Sequence, residues 1–365
     1  MNVLILANKS TGLYNFRGEL LESLLAKGHK VFLSVPKGDF IEEMQQMGCS
    51  FIETEISRHG TNPLTDLALV KKYCSIIKSV KPDIVFTYTI KPNVYGGIAC
   101  QLCKVPYVAN VTGLGTAVEN GGILQKITLA LYRTGLRKAK RVFFQNQANQ
   151  DFMLKHKVVK SAYSLLPGSG VNLERFVPLP YPDERDGIHF VFISRIMREK
   201  GIEQYLDAAA SLRAKRSNLP LFFHICGFCE PEYKGKLDEF VKNGTVIYHG
   251  MVRDVREIHK ISHCTIHPSF YPEGISNVLL ESCASARPII TTDRSGCREV
   301  VEDGVNGFRV KQRDSEDLIQ KIEKFLALTH EQKMQMGLAG RAKVEKEFDR
   351  KIVVNAYLKE LENVK

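Results

Sequence analysis

"HFVFISRIMREKG" (His189–Gly201) sets the pattern that the rest of the chain repeats. HFVFI is short, apolar and unbroken, as a strand buried on both faces should be. A polar loop, SRIMREKG, follows, and apolar residues at helical spacing begin at Ile202. Strand, polar loop and helix in that order make the repeating unit of a parallel sheet. Downstream the strand signal recurs in LFFHIC (221–226), TVIYH (245–249), CTIHP (264–268), PIITT (288–292) and GFRV (307–310). Upstream there is a second series. NVLIL (2–6) leads through the loop ANKSTGLYN into a helix over 16–30 that stops at Gly28. VFLSV (31–35), DIVFTY (83–88), PYVANV (106–111) and RVFFQN (141–146) continue it. Between the two series lies VPLPYPDERDG (177–187), whose prolines and clustered charges read as a linker.

The sequence therefore predicts an α/β chain of two Rossmann-like domains, each a doubly wound parallel sheet. Their expected bounds are 1–180 and 181–349, with a C-terminal helix over 350–365 packing back onto the first. A chain of 365 residues is long for one core and suited to two. Ligands of open α/β sheets bind beyond the carboxyl ends of the strands. Two such domains can set those ends facing each other across a cleft.

Composition narrows the function. No apolar run approaches the roughly 20 residues that span a bilayer. The start, MNVLILANKS, has neither the basic region nor the apolar length of a signal peptide, so a cytoplasmic location is expected. Nine cysteines, an odd number, suit reduced thiols. Cys100 with Cys103 and Cys226 with Cys229 have C-x-x-C spacing, but they fall in different halves and read as buried small residues rather than a metal site. Charge is uneven. Residues 1–180 carry 22 Lys and Arg against 12 Asp and Glu, a balance of +10, while the remaining 29 and 28 leave +1. Such a first half calls for an acidic partner. Nucleic acid is disfavoured because no stacking aromatic platform is interleaved with the basic residues. Absence of G-x-G-x-x-G after either first strand, of G-x-x-x-x-G-K-[ST] and of G-x-S-x-G argues against nicotinamide dehydrogenases, P-loop enzymes and α/β-hydrolases.

Two loops carry candidate chemistry. Arg195 and Lys200 stand just past a strand's carboxyl end, where a planar fork of donors and a point charge suit a diphosphate. In EGISNVLLESCASARPII (273–290) two acids stand eight positions apart, a rise of roughly 12 Å on a helix. They share a face but cannot act on one atom. Glu273 precedes the helix, Gly274 lets backbone approach a ligand, and Ser276 is the expected N-cap. The free amides at that helix start form an anion site. Glu281 lies within an apolar run, where an unpaired charge is costly.

SRIMREKG, HGMVRDV, PSFYPEGISNVLLESCASARPII and REVVEDGVNGF occur together in the order and spacing of glycosyltransferase family 4. The chain resembles that family over nearly its whole length. The resemblance implies the GT-B fold, a UDP-sugar donor and retention of anomeric configuration without a metal or other cofactor. It implies that Glu273 binds hydroxyls of the donor sugar, Glu281 the ribose, and Arg195 and Lys200 the diphosphate. It also implies that Gly274, Ile275, Ser276 and Asn277 cover the distal phosphate and sugar through backbone amides. The base is expected near Gly227, Met251 and Val252, and Gly168 and Gly170 are expected to approach the diphosphate. No nucleophile is assigned to Glu273, since a same-face reaction needs none.

STGLYNFRGEL, ISRHGTNPLTDL, TYTIKPNVYGGIA and NVTGLGTAV are similar to bacterial members that extend undecaprenyl-diphosphate-linked sugars. This implies acceptor contacts at Gly12, Tyr14, Asn15, Arg17, Arg58, Asn62, Lys91, Asn93, Thr112 and Gly113, and work at the inner face of the plasma membrane. Many members carry a His in the loop after the fifth strand, where this chain reads Asn110-Val111-Thr112-Gly113. The segment 121–141 combines Ile123, Ile127 and Leu131 with Lys126, Arg133, Arg137, Lys138, Lys140 and Arg141, the pattern of an interfacial helix on anionic lipid. A nucleotide-sugar 2-epimerase of the same fold is the alternative.

Overall fold

The computed structural model describes residues 1–56, 63–119, 121–215 and 220–364. Contacts divide it into two units. The first contains a sheet of seven strands: β1 (Asn2–Leu6), β2 (Lys30–Val35), β3 (Ser50–Glu53), β4 (Ile84–Tyr88), β5 (Tyr107–Val111), β6 (Arg141–Phe144) and β7 (Ala162–Leu165). Their order is β3-β2-β1-β4-β5-β6-β7 and every pairing is parallel. The second holds six: β8 (Ile188–Ile193), β9 (Leu221–Cys226), β10 (Ile247–Tyr248), β11 (Cys264–His267), β12 (Ile289–Thr292) and β13 (Gly307–Val310). They run β10-β9-β8-β11-β12-β13, again all parallel. Two doubly wound parallel sheets are what the alternating apolar runs require. The central strands β1, β4, β5, β8 and β11 are buried almost throughout, because helices cover both faces of each sheet.

Two strands had no clear sequence signal. SFIE (β3) and AYSL (β7) are sheet edges with no fully buried residue, so neither shows the apolar run of a central strand. The first helix spans Ser10–Ala26, so Gly12, Tyr14 and Asn15 are helical rather than in a loop. Polar Ser, Thr, Gly and Asn over residues 10–15 suggest a loop, but the helix accommodates them in its first turns.

The chain passes from the first unit to the second at Gly170–Val171, ahead of the 180 boundary. The proline-rich stretch is not a free tether. Arg287, fully buried, donates from its guanidinium to the carbonyls of Leu179 and Pro180, and Tyr181 Oη donates to the carbonyl of His263. The C-terminal helix Arg350–Glu362 belongs to the first unit. Its Tyr357 ring sits 4.9 and 5.0 Å from those of Phe86 and Phe143, and its hydroxyl accepts from Asn110 Nδ2 at 2.7 Å.

Tyr357→Ala should therefore destabilise the first unit by about 3 kcal/mol, whereas Tyr357→Phe should cost only about 1 kcal/mol for the lost hydrogen bond. Urea unfolding of both variants checks this. Equal losses would mean that the ring contributes little beyond its hydroxyl.

Candidate active site

In the second unit, β8 ends at Ile193 and the loop that follows carries Arg195, whose side chain is about half exposed, with an oxygen of Glu230 at 3.8 Å. A short 3-10 turn, Arg198–Lys200, then brings Lys200 inward. Both cations address one ring. The Arg195 guanidinium is 5.6 Å from the Tyr271 centroid and the Lys200 ammonium 4.9 Å. Only 9% of Lys200 is exposed, and burial, with the Arg195 charge opposing it further, pulls its pKa down to about 8.

The second element is the helix Asn277–Ala284, which carries Glu281 half-buried. Ser276 occupies its N-cap position with the extended backbone such a residue needs, φ −72° and ψ 109°. It makes no side-chain cap. Its buried hydroxyl lies 3.2 Å from His267 Nε2 at the end of β11, and its amide donates to the Gly296 carbonyl at 2.8 Å. Glu299 holds that carbonyl's loop, accepting from the Gly296 amide and the Ser295 hydroxyl. Burial, and then the Lys200 charge, push the His267 pKa down to about 3, so its imidazole is neutral. Lys200, His267 and the helix start thus share one corner.

Several glycines serve packing inside one unit. A Cβ on Gly227 would lie 1.9 Å from the Ser194 carbonyl oxygen, and the Gly227 amide donates to the Gly250 carbonyl. A Cβ on Gly170, at φ +66°, would lie 2.5 Å from Arg350 Cα. Arg350 fills that approach, and its guanidinium donates to the Gly170 carbonyl and to Glu19. Gly168 also has positive φ, 63°. At Gly274 a Cβ would meet Gln145 Oε1 at 2.1 Å and the Thr112 carbonyl at 2.5 Å. Pro272–Gly274 groups with the first unit, where Asn146 Nδ2 donates to the carbonyls of Glu273 and Gly274. Met251 is 73% exposed, while Val252 packs on the small cluster of Val191, Ile193, Cys226 and Ile258.

In the first unit, Tyr14 stacks on Phe40 with centroids 4.6 Å apart. The Asn15 carbonyl accepts from Arg350. Arg17 is buried with its guanidinium 4.9 Å from the Tyr88 centroid, and its Nε has no hydrogen-bond partner. Lys91 pairs with Asp66 at 3.0 Å, and Asp66 also accepts from Tyr95 Oη at 2.6 Å. Asn93 is a correction: it is fully buried, accepting from Thr87 Oγ1 and donating to the Asn110 carbonyl, and so braces β4 against β5 instead of facing an acceptor. Gly113 lies against the Pro272 carbonyl. Arg58 and Asn62 fall outside the described residues. Tyr271 and His267 escaped sequence reasoning, since a lone aromatic and a strand-end histidine carry no spacing signal. Among the described residues no group of three or more His, Cys, Asp or Glu could hold a metal ion, and all nine cysteines are free.

Comparison with known proteins bears on both units. The family described as "Glycosyl transferases group 1" matches residues 182–343, and "Glycosyl transferase 4-like" matches 2–146. The chain is 25% identical to the N,N'-diacetylbacillosaminyl-diphospho-undecaprenol alpha-1,3-N-acetylgalactosaminyltransferase of Campylobacter jejuni, over 98% of each chain. It is 23% identical to the UDP-Gal:alpha-D-GlcNAc-diphosphoundecaprenol alpha-1,3-galactosyltransferase of Escherichia coli, over 70% of this chain and 69% of that one. Anabaena Alr3699/HepE, solved with UDP, superposes with a TM-score of 0.80 at 17% identity over the whole of both chains. A glycosyltransferase from Rickettsia africae gives 0.79 at 19%, over 100% of this chain and 98% of its own. Both halves are thus accounted for, and the chain belongs to the family-4-like glycosyltransferases of GT-B fold.

Proposed function

We propose that this glycosyltransferase moves a sugar, an N-acetylhexosamine or a hexose, from UDP to a saccharide carried on polyprenyl diphosphate, with retention of configuration, in bacterial surface-glycan or glycoprotein assembly. The observation that carries the reading is the corner formed by Arg195, Lys200 and the uncapped start of the Asn277–Ala284 helix, a set of positive groups suited to a diphosphate. The names of the Campylobacter and Escherichia relatives support the acceptor class, and the UDP in the Anabaena structure supports the donor.

In the proposed step the anomeric carbon–oxygen bond to the donor phosphate breaks as an acceptor hydroxyl forms its bond on the same face. The hydroxyl proton passes to the leaving phosphate oxygen. Charge accumulates on the diphosphate, where Arg195, Lys200 and the helix amides stabilise it. We read the enzyme as metal-independent because these groups already address that charge. Glu281 is assigned to the ribose hydroxyls and Glu273 to the donor sugar. On the acceptor side, Arg17 is the best candidate for an anionic group, being buried with no carboxylate paired to it among the described residues.

A panel of nucleotide sugars incubated with a lipid-diphosphate monosaccharide, read by mass spectrometry of the lipid, tests the reading. One added hexose or N-acetylhexosamine is expected. Donor isomerisation without lipid product would favour an epimerase.

Lys200→Ala and Arg195→Ala should each cost roughly 3 kcal/mol of transition-state stabilisation, about 100-fold in rate. Lys200 adds a pH signature. Its folded pKa is depressed to about 8, so the free enzyme carries the charge below that pH and loses it above. UDP affinity by calorimetry should fall as pH rises through about 8. That fall should vanish in Lys200→Arg, whose charge persists. A flat wild-type profile from neutral pH into the alkaline range would remove Lys200 from the phosphate site.

We also place the enzyme at the inner face of the plasma membrane. The helix Gly122–Leu136 exposes Ile123, Leu124 and Ile127, at 77%, 48% and 46%, together with Lys126 and Arg133, while Arg137 and Lys138 stand exposed just beyond it. Lys140 and Arg141 do not join this surface, because Glu360 holds both. Each exposed cation near anionic lipid contributes about 1 kcal/mol. Vesicle flotation should require anionic lipid, weaken with salt, and drop when Lys126, Arg137 and Lys138 are neutralised together. A triple variant floating like wild type would discard this anchor.

A further inference from the structure

Ser276 stands where a helix N-cap stands, with N-cap backbone angles and an N-cap side chain, yet its hydroxyl does not cap. A serine there normally accepts from an amide of the first turn, with a stabilisation of about 1 kcal/mol. Here the hydroxyl is turned into the sheet, 3.2 Å from His267 Nε2, and both residues are 1% exposed. His267 is itself held from the other side, its carbonyl accepting from Thr291 Oγ1 at 2.7 Å. Its Nδ1 is buried with no hydrogen-bond partner, so within the described residues the ring's one polar contact is with Ser276. An imidazole at the end of a buried strand is expensive unless its position does something.

We infer that His267 is a positioning residue: it draws the Ser276 hydroxyl away from the Asn277–Ala284 helix and so keeps the first-turn amides open for the phosphates of the donor. This rests on the reading of that helix start as the donor phosphate site. Without His267, Ser276 rotates into its ordinary capping role, and a phosphate must then displace a hydrogen bond already made. The Gly296 carbonyl that holds the Ser276 amide, braced by Glu299, fixes the backbone, so that only the side-chain rotation changes.

The test is a double-mutant cycle read by calorimetry with UDP, which carries the diphosphate without the sugar. His267→Leu should weaken UDP binding roughly tenfold when Ser276 is present. In the Ser276→Ala background the same substitution should change affinity by less than about twofold, since no hydroxyl remains to cap. His267→Gln, which still reaches Ser276, should stay within about twofold of wild type. Where leucine is not tolerated in this buried place, His267→Asn, polar but too short to reach, takes its role with the same expectation. Equal losses in both serine and alanine backgrounds, or no loss in either, overturn the inference and leave the donor site standing. Failure of the wild-type protein to bind UDP overturns the donor reading itself, and the inference with it.

Discussion

A parallel strand covered by helices on both faces can carry polar chemistry only beyond its ends. The candidate site of the second unit follows from that constraint. β8 is buried along its length and breaks into polar residues only after Ile193, where Arg195 and Lys200 stand. β11 ends in His267, which meets Ser276. β12 ends at Thr292, and the loop beyond it carries Gly296 and Glu299. Because β8, β11 and β12 are neighbours in parallel register, three loops far apart in sequence converge beyond the carboxyl ends of one sheet. The site is a by-product of strand direction.

Convergence has an electrostatic cost. Burial desolvates Lys200 and the Arg195 charge opposes it further, so its pKa falls to about 8, while burial and then the Lys200 charge take His267 down to about 3. The diphosphate proposed to bind here would gain from this arrangement. Positive groups desolvated before the ligand arrives attract it more strongly than solvated ones would. The Tyr271 ring lies against both cations and contributes attraction without neutralising either. The basic excess of the first half includes exposed side chains such as Lys126 and Arg137.

Glycines and polar residues near the site show how motif and mechanism part company. Gly227, Gly170 and Gly274 each stand where a Cβ would collide, but with Ser194, Arg350 and Thr112 rather than with an open space. Asn93, an expected acceptor contact, braces two strands. Residues of this kind hold loops and strands in shape.

The fold class is legible in the sequence, because apolar runs separated by polar loops and amphipathic helices point to parallel, helix-covered sheets. The sequence also determined the loop positions of Arg195 and Lys200, since a polar loop directly after a buried strand lies at its carboxyl end. Tertiary structure alone decided the rest. Edge strands β3 and β7 lack the burial that marks a strand in sequence. The proline-rich 177–187 stretch joins the second unit because a buried arginine more than 100 residues away holds it. Ser276 has every local feature of a cap, and only a histidine on a neighbouring strand turns it away. Local propensity reaches a few residues along the chain, whereas these outcomes turn on contacts that form only once the sheet has assembled.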